Sequence, residues 1–151
     1  MGHRVYDPVA IARQFRFIRE TLGQNRGVWV EAIQRVTDNK PGDSWCASFV
    51  STVLWVCYQG APPIPRTASC DVMWGIAKNY EVKIPAPGDV FFRVKPDGDA
   101  HHVGFVTETG PLKGIAGNTS EDGKSSNGTG VFENLLTDDD QTRFARLPFT
   151  T

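Results

Sequence analysis

No stretch of this sequence stays apolar for long. Wholly apolar runs such as Val28 to Val30 and Val53 to Val56 fall far short of the roughly 20 residues that cross a bilayer, so no transmembrane helix is expected. Charge of one sign is equally scarce. Lys and Arg number 16 against 17 Asp and Glu, a formal net charge of −1, which argues against a nucleic-acid-binding surface or a polybasic membrane protein. The first residues, Met1 to Asp7, carry charge and run straight into Pro8, with none of the apolar stretch of a signal peptide. The expectation is a protein made in the cytoplasm which, if it works outside the cell, reaches its place of action by another export or release system. Cysteine is sparse too. Cys46, Cys57 and Cys70 are an odd set, too few for a disulfide framework and without the CxxC spacing of a zinc site. Cys46 and Cys57 fall in one helical stretch, about 16 Å apart at 1.5 Å per residue. A disulfide needs Cα atoms within about 7 Å, so those two cannot pair and at least one thiol is free.

What is present suffices for one core. A length of 151 residues with 40% hydrophobic and 11% aromatic content predicts a single domain over 1–151. Asp7 followed by Pro8 reads as a helix cap and first-turn proline, and Val9, Ile11, Ala12, Phe15, Ile18 and Leu22 continue the period to a stop at Gly23. A second helix over 28–37 places Trp29, Ala32, Ile33 and Val36 on one side. The third has the best periodicity, with Cys46, Phe49, Val50, Val53, Leu54 and Cys57 at i, i+3, i+4, i+7, i+8 and i+11, and Asp43 or Ser44 as its cap. A short fourth helix follows over 69–78. From Val82 onward, short β-type runs alternate with turns: 90–94, the Pro96-Asp97-Gly98 turn, 103–107, 112–116, 131–135 and 144–147. Helices first and strands later predict an α+β domain, N-terminal helices packed on a C-terminal antiparallel β-sheet. The Gly/Ser/Asn-rich stretch 118–130 reads as a long surface loop.

Cys46 opens the third helix, where free N–H groups and the positive dipole end favour a thiolate. It also lies on the apolar stripe, so a buried structural thiol is the competing reading. A nucleophile needs a base, and of His3, His101 and His102 the adjacent pair at a strand start is the serious source. Neighbours on a strand face opposite ways, so one of the two at most meets Cys46. If Val103 and Phe105 share one face, His102, Gly104 and Val106 share the other, and Gly104 leaves bare space beside His102. The same geometry disfavours metal binding by the two histidines. Asp97, Asp99 and the run 138–140 raise calcium, but no twelve-residue ligand loop with a terminal Glu is present. No cofactor and no metal are expected.

These residues carry a resemblance. Gly42-Asp43-Ser44-Trp45-Cys46-Ala47-Ser48-Phe49-Val50, Pro87-Gly88-Asp89-Val90-Phe91-Phe92, His102-Val103-Gly104-Phe105-Val106 and Gly117-Asn118-Thr119, in that order over about residues 40 to 135, resemble the CHAP family of cysteine, histidine-dependent amidohydrolases and peptidases within the NlpC/P60 group. The resemblance implies a papain-like core and hydrolysis of amide or peptide bonds of bacterial peptidoglycan through an acyl-enzyme. It also implies Cys46 as nucleophile and His102 as general base. Many relatives carry an acid two residues before the Asn, where this chain has Ala116, which leaves the imidazole to be oriented by Asn118, the favoured group, by Glu108, by a backbone carbonyl or by water. Trp45 is expected to bind substrate beside the thiol or to pack, Asp89 to stabilise its turn, and Glu108 to be solvated. The implied partner is peptidoglycan; no nucleic acid and no membrane insertion are expected, and the oligomeric state is left open with a monomer favoured. Two rival readings stand beside it: a catalytically silent wall-binding or structural module of the same fold, and an intracellular thiol peptidase.

Overall fold

The computed structural model describes residues 3–123 and 128–149. Asp7 starts the first helix by accepting the Val9 N–H on Oδ1 at 3.3 Å, Pro8 takes the first helical position, and α1 spans Pro8–Arg13. The period predicts a helix as far as Gly23, and that helix does not form. Past Arg13 the chain enters turns, Arg19 bridges to Gly130, and the Glu20 N–H bonds the Thr129 carbonyl at 2.8 Å. Pairing at the strand edge satisfies backbone groups that a longer helix would have used internally. Ile18 is buried as its spacing implies, while Leu22 is exposed.

Helix α2 spans Val28–Val36, with a packed face different from the expected one. Val30, Ile33 and Gln34 are buried, whereas Trp29 is 54% exposed and stacks edge-on with Phe17 at 5.2 Å. Gln34 sets the rotation. Its amide donates to the carbonyls of Asn25 and Asp43, both at 2.9 Å, so a polar side chain occupies the core with its donors used. Helix α3, Cys46–Cys57, buries all six residues of its predicted stripe, and α4, Cys70–Ala77, is capped by Ser69 Oγ, which accepts the Val72 N–H at 3.1 Å.

Among the described residues the second half forms one six-stranded sheet. Its strands are β1 Glu81–Val82, β2 Val90–Val94, β3 Ala100–Thr109, β4 Leu112–Thr119, β5 Gly130–Leu135 and β6 Thr142–Ala145, in the order β1-β6-β2-β3-β4-β5, every pair antiparallel. The fold is therefore α+β, helices first and an antiparallel sheet after. Alternation along the strands divides the sheet. Phe92, Val103, Phe105 and Ile115 join the core with Phe49, Val50 and Val53 of α3, while Phe91, Val106, Ala116 and Phe144 form a second cluster. Asp89 stabilises the turn before β2 as expected, accepting the Ala86 N–H at 2.8 Å, and is also held by both arms of Arg146 at 2.9 and 3.0 Å.

The stretch expected as a loop from Asn118 begins inside the sheet. Strand β4 runs through Thr119, Asn118 and Thr119 are buried, and their carbonyls take the N–H groups of Gly128 and Thr129 at 3.1 and 3.0 Å. Residues 124–127 of that stretch lie outside the described residues.

Candidate active site

Two helix starts and two strands converge on the candidate site. Cys46 is the first residue of α3, and its side chain is 3% exposed. Neither Asp43 nor Ser44 caps this helix. The N-cap is Trp45, which makes no side-chain cap bond, while Asp43 Oδ2 accepts the Lys40 N–H at 3.0 Å. The first-turn N–H groups are thus left free of a competing side-chain oxygen, and the Ala47 N–H helps to stabilise charge on the Cys46 sulfur.

The Cys46 sulfur lies 3.3 Å from the Cys70 sulfur, at the first position of α4. This contact is the largest influence that holds the Cys46 thiol well below its usual pKa. Burial opposes it, and hydrogen bonding and charge from His102 come next in favour of the thiolate. Cys70 moves the opposite way. Its hydrogen bond to the Cys46 sulfur and its burial both push its thiol far up, so of the two sulfurs Cys46 is the one favoured as thiolate. The sequence singles out Cys46 but not Cys70. A serine-capped helix start is visible at Ser69-Cys70, yet nothing local says that two helix starts separated by a proline-rich connection meet.

His102 is 7% exposed on β3, opposite Arg93 of β2 and beside the register shift that brings both Ala100 and Val103 into the helix-side core, so it sits where the alternation is interrupted and stands among the groups that act on Cys46. Beyond it the alternation read from the sequence holds, with Phe105 in that core and Gly104 and Val106 turned away. The space beside Gly104 is not bare. A Cβ there would collide with the Ile115 carbonyl and approach Phe91 Cε1 to 2.5 Å, so the glycine admits the Phe91 ring, which lies 6.0 Å from the imidazole. His101 is exposed at the irregularity between β2 and β3.

Asn118 is wholly buried in a left-handed conformation, φ 53°. Its Nδ2 donates to Ser44 Oγ at 2.8 Å, which ties the end of β4 to the residue two positions before the thiol. Its Oδ1 is buried without a partner, and so is Nδ1 of His102. One is an acceptor and the other a potential donor, each costly to leave unmatched. The Asn118–His102 bond implied by the sequence is thus not closed here, although both ends of it are free. Glu108 is no substitute. It stands at the other end of β3, about 20 Å along the strand at 3.3 Å per residue, and pairs with Lys113 at 3.3 Å.

Trp45, expected to bind substrate, has no exposed surface. Its indole N–H donates to Glu20 Oε2 at 2.9 Å, and its ring lies where a Cβ on Gly117 would come within 2.8 Å. It packs beneath the helix start and does not line a groove. The open space lies beyond His102. A groove of about 530 Å³ is bordered by Phe91, Arg93, His101, His102, Phe132 and Asn134, among others, so His102 is the member of the candidate site that lines it.

No protein-family model, no curated protein and no solved structure matches the chain.

Proposed function

We propose that the protein is a cysteine hydrolase of bacterial peptidoglycan, cleaving amide or peptide bonds with Cys46 as nucleophile, His102 as general base and Asn118 as the group that orients the imidazole. The observation that carries this reading is the placement of Cys46: the first residue of a helix, with the Cys70 thiol at 3.3 Å, His102 among the groups that favour its thiolate, and a groove along His102. The wider reading, a papain-like CHAP domain, rests on the four sequence motifs and on an arrangement consistent with them, a helix bearing the thiol packed against an antiparallel sheet bearing the histidine.

In this mechanism His102 holds the proton of the Cys46 thiol while the sulfur attacks the carbonyl carbon. Negative charge developing on the carbonyl oxygen meets the N–H groups at the start of α3. The imidazolium gives its proton to the departing amine, leaving a thioester on Cys46. His102 then takes a proton from water, which attacks the thioester and releases the acid. A bond from Nδ1–H of His102 to Asn118 Oδ1 orients the imidazole in this scheme and matches two buried atoms that otherwise have no partner. No step requires a cofactor.

The test is digestion of purified peptidoglycan, with mass spectrometry of the released fragments. New amine and carboxyl ends at one bond type, absent with Cys46→Ala, support the reading and name the bond. An intact wall after treatment with folded protein favours the silent module, and cleavage of casein alone favours a protein peptidase.

A further inference from the structure

Cys70 has no part in the hydrolytic cycle just described, yet its sulfur touches the nucleophile. At 3.3 Å the two thiols are in contact, and a disulfide needs about 2.05 Å, so a closure of about 1.3 Å separates them. Each is the first residue of its helix, Cys46 buried and Cys70 partly exposed. Cys57, at the other end of α3, has neither a thiol neighbour nor an imidazole among its influences.

We infer that Cys46 and Cys70 form an oxidation site for small peroxides, with Cys46 the attacking sulfur and Cys70 the resolving one, so that oxidation converts the pair reversibly to a disulfide. The Cys46 thiolate attacks one oxygen of hydrogen peroxide. A sulfur–oxygen bond forms, the oxygen–oxygen bond breaks, and hydroxide leaves and takes a proton to become water. The Cys70 sulfur then attacks the Cys46 sulfenic acid, its own proton departing with the hydroxyl as a second water. Two sulfurs are oxidised by one electron each and both peroxide oxygens are reduced, so the step balances with peroxide alone.

A resolving thiol in contact has a chemical consequence. An isolated sulfenic acid proceeds with excess oxidant to sulfinic acid, which thiol reductants do not reverse, whereas condensation with a neighbour halts oxidation at a reducible stage. The nucleophile that attacks an amide is the same sulfur, so the disulfide form cannot hydrolyse. The inference stands on the thiol pair and does not depend on peptidoglycan being the substrate.

The experiment treats the reduced full chain with hydrogen peroxide, alkylates remaining thiols after denaturation, and maps peptides by mass. The expected result is a loss of two hydrogens, a crosslinked peptide joining Cys46 to Cys70 that dithiothreitol opens, and Cys57 still alkylated. In Cys70→Ser, and in Cys70→Ala as a second variant should the serine disturb folding, dimedone traps a sulfenic acid on Cys46, and prolonged exposure yields sulfinic acid that dithiothreitol does not reverse. Cys46 and Cys70 both still free after peroxide, a crosslink to Cys57, or irreversible oxidation of Cys46 in the unsubstituted chain would overturn the proposal. Because the readout is mass, a protein that forms the crosslink but cleaves no wall refutes the hydrolase and leaves this site standing, and the reverse result does the opposite.

Discussion

The two ends of α3 hold the same chemical group in nearly the same degree of burial and drive it in opposite directions. Cys46 at the first residue is 3% exposed and Cys57 at the last is 0% exposed, both on one apolar stripe. Burial alone raises a thiol's pKa because it penalises the charged form. At Cys57 that is the leading influence, and the thiol is pushed up to about 12, with Arg4 opposing weakly. At Cys46 the same penalty is overcome by the Cys70 thiol, by His102 and by the Ala47 N–H. A helix start offers free N–H donors and the positive end of the dipole, while a helix end offers carbonyls. The lesson is that the neighbours at a helix terminus, and not depth in the core, decide whether a cysteine is reactive or inert.

Removal of the nucleophile carries the largest expected effect. Cys46→Ala is expected to abolish wall hydrolysis and keep the melting temperature close to that of the parent, whereas Cys57→Ala keeps the activity and lowers stability by about 1 kcal/mol, the transfer of roughly one methylene-sized group. Turbidity clearing and thermal melts on both variants check the contrast, and activity surviving in Cys46→Ala ends the cysteine-hydrolase account. Removing the base comes next. His102→Ala should lower kcat/KM by roughly 10²- to 10⁴-fold and move the Cys46 thiol back up toward its ordinary range, with His101→Ala retaining activity. The reverse pattern would show that the strand presents the other imidazole to the thiol.

A smaller effect is expected at the third position. Asn118→Ala is expected to lower kcat by tens to hundreds of fold, roughly 2 to 3 kcal/mol at about 1.4 kcal/mol per tenfold, with little change in KM. Ser44→Ala removes one neutral hydrogen bond from Asn118 Nδ2 and should cost about 1 kcal/mol, several-fold in kcat. Steady-state kinetics on both, beside melting curves, separates an orienting role from a structural one. Unfolding in Asn118→Ala with normal kinetics in Ser44→Ala would assign Asn118 to shaping its left-handed turn.

Much of this site was legible because its cues are local. A six-residue apolar stripe beginning at Cys46 places that thiol at a helix start, and period-two alternation from Val103 to Val106 fixes which residues share a face. The failures share a cause as well. Trp29 and Leu22 match a helical period but are exposed, because the buried Gln34 amide and the pairing of 19–20 with 129–130 set the local structure through partners distant in sequence. Trp45 beside the thiol suggested a groove wall, and only its bond to Glu20 and its packing against Gly117 show it to be an anchor. Ser44 suggested a cap because Ser commonly caps helices, but its hydroxyl is held by Asn118, 74 residues away. The meeting of Cys46 with Cys70 left no trace in spacing at all, since it depends on how the connection after α3 returns.

If the start of α3 makes its thiol the reactive one, site-resolved alkylation across pH reveals it. Iodoacetamide is added to the reduced, folded protein at a series of pH values, and labelling of each cysteine is followed by peptide mass. A lowered thiol pKa keeps the reactive thiolate populated below the ordinary thiol range and loses it only as pH falls through the lowered value, while a raised one withholds it until near 12. Cys46 is expected to be labelled first, with a rate already at its plateau well below pH 9, and Cys57 to stay silent throughout. Labelling of Cys57 or Cys70 ahead of Cys46, or a Cys46 rate still climbing through pH 9, would contradict it.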